Sequence, residues 1–154
     1  MNYYIHVPFC RRKCRYCAFY STPLPCSGDE MAVYLSALYA ELGQWGRRLG
    51  RVPVESVFFG GGTPSLLTPE EFAEILAHID AAFKITTRTE ISMECNPASA
   101  DVKKLKNFKK NGLNRLSIGV QSFDREVLRT LGRVHSPEEA VTSVEKARKA
   151  GIRN

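Results

Sequence analysis

Four short runs rich in β-branched and aromatic residues recur along the chain, over residues 2–7, 54–59, 89–94 and 115–120, and each is followed by a segment with helical periodicity. Met31, Tyr34, Leu35, Leu38, Leu42, Trp45 and Leu49 form one apolar stripe, and Phe72, Ile75, Leu76, Ile79 and Phe83 form another. Two helix starts carry the same signal, Thr68-Pro69-Glu70-Glu71 and Ser136-Pro137-Glu138-Glu139. In each, a hydroxyl can cap the third helical amide, proline suits the first turn, and the acids face the positive end of the dipole. Gly112, Gly132 and Gly151 stand where helices should end. Alternation of this kind predicts an α/β fold with parallel strands joined by right-handed crossovers. A fifth strand is expected to begin at Ile152, after the last helix.

The composition is that of a globular domain: 154 residues, 44% hydrophobic and 25% charged. No apolar run approaches the roughly 18 residues of a membrane span. The N-terminal residues lack the basic lead, long apolar run and cleavage site of a signal peptide, so the expected compartment is the cytosol. The net charge of +6 raises the question of nucleic acid. Much of that charge lies near residues 101–112, where Val102, Leu105 and Phe108 fall at helical spacing and Lys103, Lys104, Lys106, Lys109 and Lys110 are left for the solvated surface. No nucleic-acid-binding signature accompanies it, and no nucleic-acid partner is expected.

Three of the five cysteines crowd into "VPFCRRKCRYCAFY": Cys10, Cys14 and Cys17. In a reducing compartment such a cluster points to metal or chemistry rather than to disulfides. The loop follows the first strand, so the thiols belong at the carboxyl edge of the sheet, where α/β folds place their ligands. Three readings are open. A closed zinc site needs a fourth ligand, which His6 or Cys26 could supply. An iron–sulfur cube held by three thiolates would leave one iron free for a substrate or cofactor. A redox thiol pair is the third. Arg11, Arg12, Lys13 and Arg15 would favour the thiolate form, or simply face water. His6 itself reads as a packed, hydrogen-bonded side chain, and Cys26 and Cys95 as incidental.

"FFGGGTPS" follows the second strand. Gly60, Gly61 and Gly62 let the backbone turn and bring amides close to a ligand, yet no phosphate-binding or dinucleotide-binding pattern surrounds them. The cysteine loop and this stretch, with "ISMECNP" and "GLNRLSIGVQSFDREVLRTLGR", resemble the radical S-adenosylmethionine (SAM) superfamily. Within it they resemble the oxygen-independent coproporphyrinogen III oxidase group, and most of all its HemW-type heme chaperones.

The resemblance implies the first part of a partial (β/α)6 TIM-like barrel, with residues 1–154 a single domain forming the N-terminal portion of a radical SAM core. It implies that Cys10, Cys14 and Cys17 hold a [4Fe-4S] cluster whose fourth iron binds SAM, and that reduction yields a 5′-deoxyadenosyl radical. Tyr4 and Tyr16 match SAM-contacting positions. Gly61, Gly62 and Thr63 match the loop at SAM's amino-acid end, and Glu94 matches a carboxylate on SAM. Gln121 and Arg133 match contacts to a second SAM in the oxidases. Heme is a further ligand, heme or porphyrin being met through a C-terminal part absent here. An electron donor such as flavodoxin or ferredoxin is implied as well. The oxidases carry a further cysteine two positions after the third ligand; here that position is Phe19, which favours the chaperone branch, although Ala18 stands where that branch often has an acid. The alternatives are a coproporphyrinogen-decarboxylating oxidase, a related methyltransferase and a non-catalytic zinc-stabilised module. On this reading the chain is an N-terminal fragment, unable alone to complete a reaction cycle.

Overall fold

The computed structural model describes residues 1–24 and 29–154. Cys26, weighed above as a fourth zinc ligand, lies outside the described residues. Strand β1 (Asn2–Val7) leads into the two-residue strand β2 (Phe9–Cys10), which pairs in parallel with β3 (Thr22–Pro23) across the cysteine loop. Helix α1 (Asp29–Leu49) is followed by β4 (Ser56–Gly61), α2 (Pro69–Ala82), β5 (Glu90–Cys95), α3 (Val102–Lys110), β6 (Arg115–Ile118), α4 (Arg125–Leu131) and α5 (Pro137–Lys149).

The main sheet is parallel throughout, in the order β1-β4-β5-β6, so each long strand lies beside the next in sequence. That order is the one a barrel grows by, and not the reversal of a doubly wound sheet. Ile152 is buried, and the Asn154 carbonyl accepts from the Leu116 amide at 3.0 Å, which sets the last residues alongside β6 where a fifth strand was expected.

Alternation along the strands gives the sheet two different faces. Ile5, Val7, Val57, Phe59, Ile91 and Met93 point one way and join Phe72, Ile75, Ile79, Leu105 and Phe108 in a single apolar core. Tyr4, His6, Gly60, Ser92, Glu94 and Ser117 fall on the other face, where the register pairs His6 with Gly60 and Glu94 with Ser117. This second face is polar and partly open.

Both capping boxes form. The Thr68 hydroxyl accepts from the Glu71 amide at 3.1 Å while the Glu71 carboxylate accepts from the Thr68 amide at 2.7 Å, and Ser136 and Glu139 repeat the pattern. Three expectations need correction. Trp45 and Leu49 do not extend the buried stripe of α1; each is 42% exposed. A helix of 21 residues is about 30 Å long and a six-residue strand about 20 Å, so the last turns of α1 overhang the sheet. The second strand runs two residues later than expected and takes in Gly60 and Gly61, because the ladder with β1 continues to Val7. Lys104 is not on the solvated face. Its ammonium donates to the carbonyls of Ser65 at 2.7 Å and Leu66 at 3.3 Å and lies 5.5 Å from the Phe108 ring centre. Burial pushes its pKa down. Lys103, Lys106, Lys109 and Lys110 are exposed as expected. No helix among the described residues is long and apolar enough to cross a membrane.

These differences predict a ranking of stability losses in urea unfolding. Phe72→Ala, at a fully buried ring, should cost about 3–5 kcal/mol. Thr68→Ala should cost about 1 kcal/mol through the lost cap. Trp45→Ala should cost least of the three, and a Trp45 loss equal to that of Phe72 would contradict the overhang of α1.

Candidate functional site

The loops that follow β1, β4, β5 and β6 meet at the carboxyl edge of the sheet around a cleft of about 250 Å³. Cys10, Cys14 and Cys17 line it, together with Tyr16 and Phe19 from the same loop. Gly61, Gly62 and Thr63 form a second wall, with Glu94 beside them. Gln121 and Arg133 close the far side. Tyr4 stands apart from the cleft lining: it is 53% exposed on β1, where its hydroxyl donates to His6 Nδ1 at 3.2 Å.

The glycine turn and the cysteine loop are locked together by backbone. The Gly62 amide donates to the Val7 carbonyl at 2.8 Å and the Thr63 amide to the Phe9 carbonyl at 2.7 Å. Contact is so close that a Cβ on Gly62 would fall 2.6 Å from the Phe9 oxygen, and Gly61 has a φ of +105°, a value that side chains disfavour. Thr63, although placed at the start of a short 3₁₀ turn (Pro64–Leu66), makes no cap with its side chain. Its hydroxyl donates instead to Cys10 Sγ at 3.5 Å. On the other side the Arg133 guanidinium donates to Cys14 Sγ at 3.5 Å and to the Gly119 carbonyl at 2.8 Å. Arg11, Arg12 and Lys13 are exposed.

Glu94 accepts from the Gly61 amide at 3.2 Å. Burial pushes its pKa up, only partly offset by that amide and by His6. His6 is hydrogen-bonded as expected: Nε2 donates to the Tyr20 carbonyl at 2.9 Å, which leaves Nδ1 to accept from Tyr4. Burial also raises the Tyr16 hydroxyl, against the pull of Arg133. Cys95 lines the cleft but is 3% exposed, with its thiol turned to the Asn96 carbonyl at 3.4 Å and its pKa raised by burial. Asn96 caps the short 3₁₀ turn Pro97–Ser99 that follows.

The two kinds of metal centre make different demands on their donors. A single zinc ion needs its ligands to converge on one point, whereas an iron–sulfur cube takes each thiolate on a separate iron. Among the described residues no three Cys, His, Asp or Glu side chains converge as they would around one ion. Cys10, Cys14 and Cys17 line one cleft and two of them accept hydrogen bonds; three thiolates are the donor chemistry a cube with one open iron takes. The remainder of the cleft offers a carboxylate and a guanidinium, which suit a ligand carrying both signs of charge, while the amides of Gly61, Gly62 and Thr63, expected to face a ligand, are spent on Glu94, Val7 and Phe9.

Two contributors were missed in the sequence. Lys104 pins the turn that carries Thr63, and a hint lay in its i,i+4 spacing from Phe108, at the flank of the apolar stripe. His135 is 4% exposed with Nε2 donating to the Val120 carbonyl at 3.0 Å, and nothing local marks it out.

Comparison with known proteins agrees with this geometry. The radical SAM superfamily profile matches residues 4–154. An oxygen-independent coproporphyrinogen III oxidase of Bradyrhizobium diazoefficiens is 39% identical over 150 residues, covering 97% of this chain and 33% of that protein. The heme chaperone HemW of Bacillus subtilis is 36% identical over 152 residues, covering 98% and 40% respectively. Among solved structures, the coproporphyrinogen III oxidase HemN of Escherichia coli, described as a radical SAM enzyme, superposes with a TM-score of 0.88 at 29% identity over 99% of this chain and 35% of that one. The chain thus spans between a third and two fifths of the length of these relatives. With the family profile covering nearly all of its residues and the barrel order in its sheet, the chain belongs to the radical SAM superfamily.

Proposed function

We propose that Cys10, Cys14 and Cys17 hold a [4Fe-4S] cluster, that the cleft binds SAM, and that these residues form the SAM core of a HemW-like heme chaperone acting in heme or porphyrin metabolism. The observation that carries the reading is the gathering of the three thiols, the glycine turn, Glu94, Gln121 and Arg133 around one cleft. When bound and reduced, such a cluster supplies an electron to a sulfonium ligand; a flavodoxin or ferredoxin is the proposed source. The chain's own residues do the placing. Thr63 and Arg133 donate to the sulfurs of Cys10 and Cys14, the glycine turn leaves the ligand room by carrying no side chain, and Glu94 offers an acceptor to ribose hydroxyls or an ammonium. Tyr4 and Tyr16 are proposed to flank the same ligand. Phe19, where the oxidases carry a further cysteine, supports the chaperone role; the 39% identity to an oxidase supports the second reading, decarboxylation of coproporphyrinogen III.

Anaerobic reconstitution should load about four iron and four acid-labile sulfide per chain. Cys10→Ala, Cys14→Ala or Cys17→Ala should each abolish that loading, and Cys95→Ala should not. Stoichiometric zinc without sulfide would overturn the reading.

Glu94→Gln should weaken SAM binding by roughly tenfold, the loss of a charge-assisted hydrogen bond. Because burial raises the Glu94 pKa, its carboxylate takes up a proton at a higher pH than an ordinary glutamate. SAM affinity of the parent chain should therefore fall as the pH drops through that raised value, while Glu94→Gln stays flat over the same range. Calorimetric titrations at several pH values read both effects.

Heme titration beside a coproporphyrinogen turnover assay, both on the full-length gene product, separates the two roles. Saturable heme uptake without loss of substrate carboxyl groups is expected for the chaperone, and turnover without heme uptake for the oxidase.

A further inference from the structure

The connection between α4 and α5 touches both the cysteine loop and the turn after β6. Helix α4 ends at Gly132, whose φ of +74° turns the chain back, and the Leu131 carbonyl just before it accepts from the Arg15 amide at 3.1 Å. Gly132 itself packs on Arg15: a Cβ there would fall 3.3 Å from Arg15 Cγ. The next residue, Arg133, uses two arms of its guanidinium on two different loops, one to Cys14 Sγ at 3.5 Å and one to the Gly119 carbonyl at 2.8 Å. Two residues on, the buried His135 donates to the Val120 carbonyl at 3.0 Å. Between these two anchors and the end of the turn stands Gln121, the one non-glycine among the described residues with a positive φ, at +68°. A glutamine in that left-handed region costs of order 1 kcal/mol and persists only where its surroundings hold it. Arg133 and His135 are what hold it, through the two carbonyls immediately before.

We infer that Leu131–His135 is a clamp joining the cysteine loop to the Gly119–Gln121 turn, with Arg133 as its positioning residue, so that the placement of Cys14 and the placement of Gln121 are coupled. Arg133 on this view acts on the protein's own loops. The planar fork suits it, since each terminal nitrogen serves one loop, whereas a lysine would have to share one nitrogen between the two acceptors. The clamp stands on the contacts alone. Its effect on a bound cluster rests on the proposed role of Cys14, because a donor to a ligand sulfur tunes the potential of the centre.

Amide hydrogen exchange on the metal-free chain tests the clamp. In Arg133→Gln the amides of Arg15 and Cys17 at one end, and of Gly119, Val120 and Ser122 at the other, should exchange roughly tenfold faster, while those of α2 keep their parent rates. Arg133→Lys, which retains the charge, should restore protection at one end only. Unchanged exchange at both ends overturns the clamp, and so does acceleration that spreads equally to α2, which marks a general loss of stability. In chains reconstituted with iron and sulfide, Arg133→Gln should move the midpoint potential to more negative values. An unchanged potential in a loaded chain overturns the Arg133–Cys14 contact. A parent chain that loads no iron and sulfide overturns the ligand role of Cys14, and the exchange rates then decide the clamp by themselves.

Discussion

Everything at the carboxyl edge of this sheet depends on how closely two backbones approach at Gly62. The ladder between β1 and β4 does not stop at the last strand pair; it runs on into the loops, through Gly62 to Val7 and Thr63 to Phe9. A side chain at Gly62 would meet the Phe9 oxygen and part the two loops. With hydrogen there instead, the glycine turn lies flat against the strand that presents Cys10, and the Thr63 hydroxyl comes within reach of its sulfur. The cleft is therefore defined by main chain, which has few ways to rearrange, before any side chain is added.

The two faces of the sheet divide the labour. One buries Val7, Val57, Phe59 and Met93 under the helices and supplies most of the cohesion. The opposite face gives up apolar burial and keeps Tyr4, His6, Glu94 and Ser117 partly open to solvent. Half-burial has a definite effect on Glu94: its charged form loses water and recovers only one amide and a neighbouring imidazole, so its affinity for protons rises. A carboxyl in that condition gains from any ligand that brings it positive charge or hydroxyl donors.

Much of this was legible in the chain because it is local. Alternation along β1 and β5, the apolar stripe of α2, both capping boxes and the left-handed glycines after α3, α4 and α5 are written in neighbouring residues. The cysteine spacing placed the thiols on the right loop for the same reason. What sequence reading missed comes from distance or from context. Cys14 and Arg133 are 119 positions apart, and no pattern near either announces their contact. Lys104 resembles its four lysine neighbours until the turn at Ser65 and Leu66 is folded beneath it. Trp45 and Leu49 keep perfect helical spacing, yet the sheet they would have covered ends sooner than their helix does. The strand ends moved because pairing, rather than residue preference, sets where a ladder stops.

The short pair between β2 and β3 has a consequence of its own. By joining Phe9–Cys10 to Thr22–Pro23, with the Thr22 amide on the Pro8 carbonyl and the Leu24 amide on that of Cys10, it buckles the cysteine segment into a ring closed at its neck. The entropy of bringing the ends of that ring together is met by the fold itself, through backbone hydrogen bonds alone. Under the proposed ligand role of the three cysteines, a cluster would be received by a loop whose circumference the fold already sets, and only the interior of the ring would adjust.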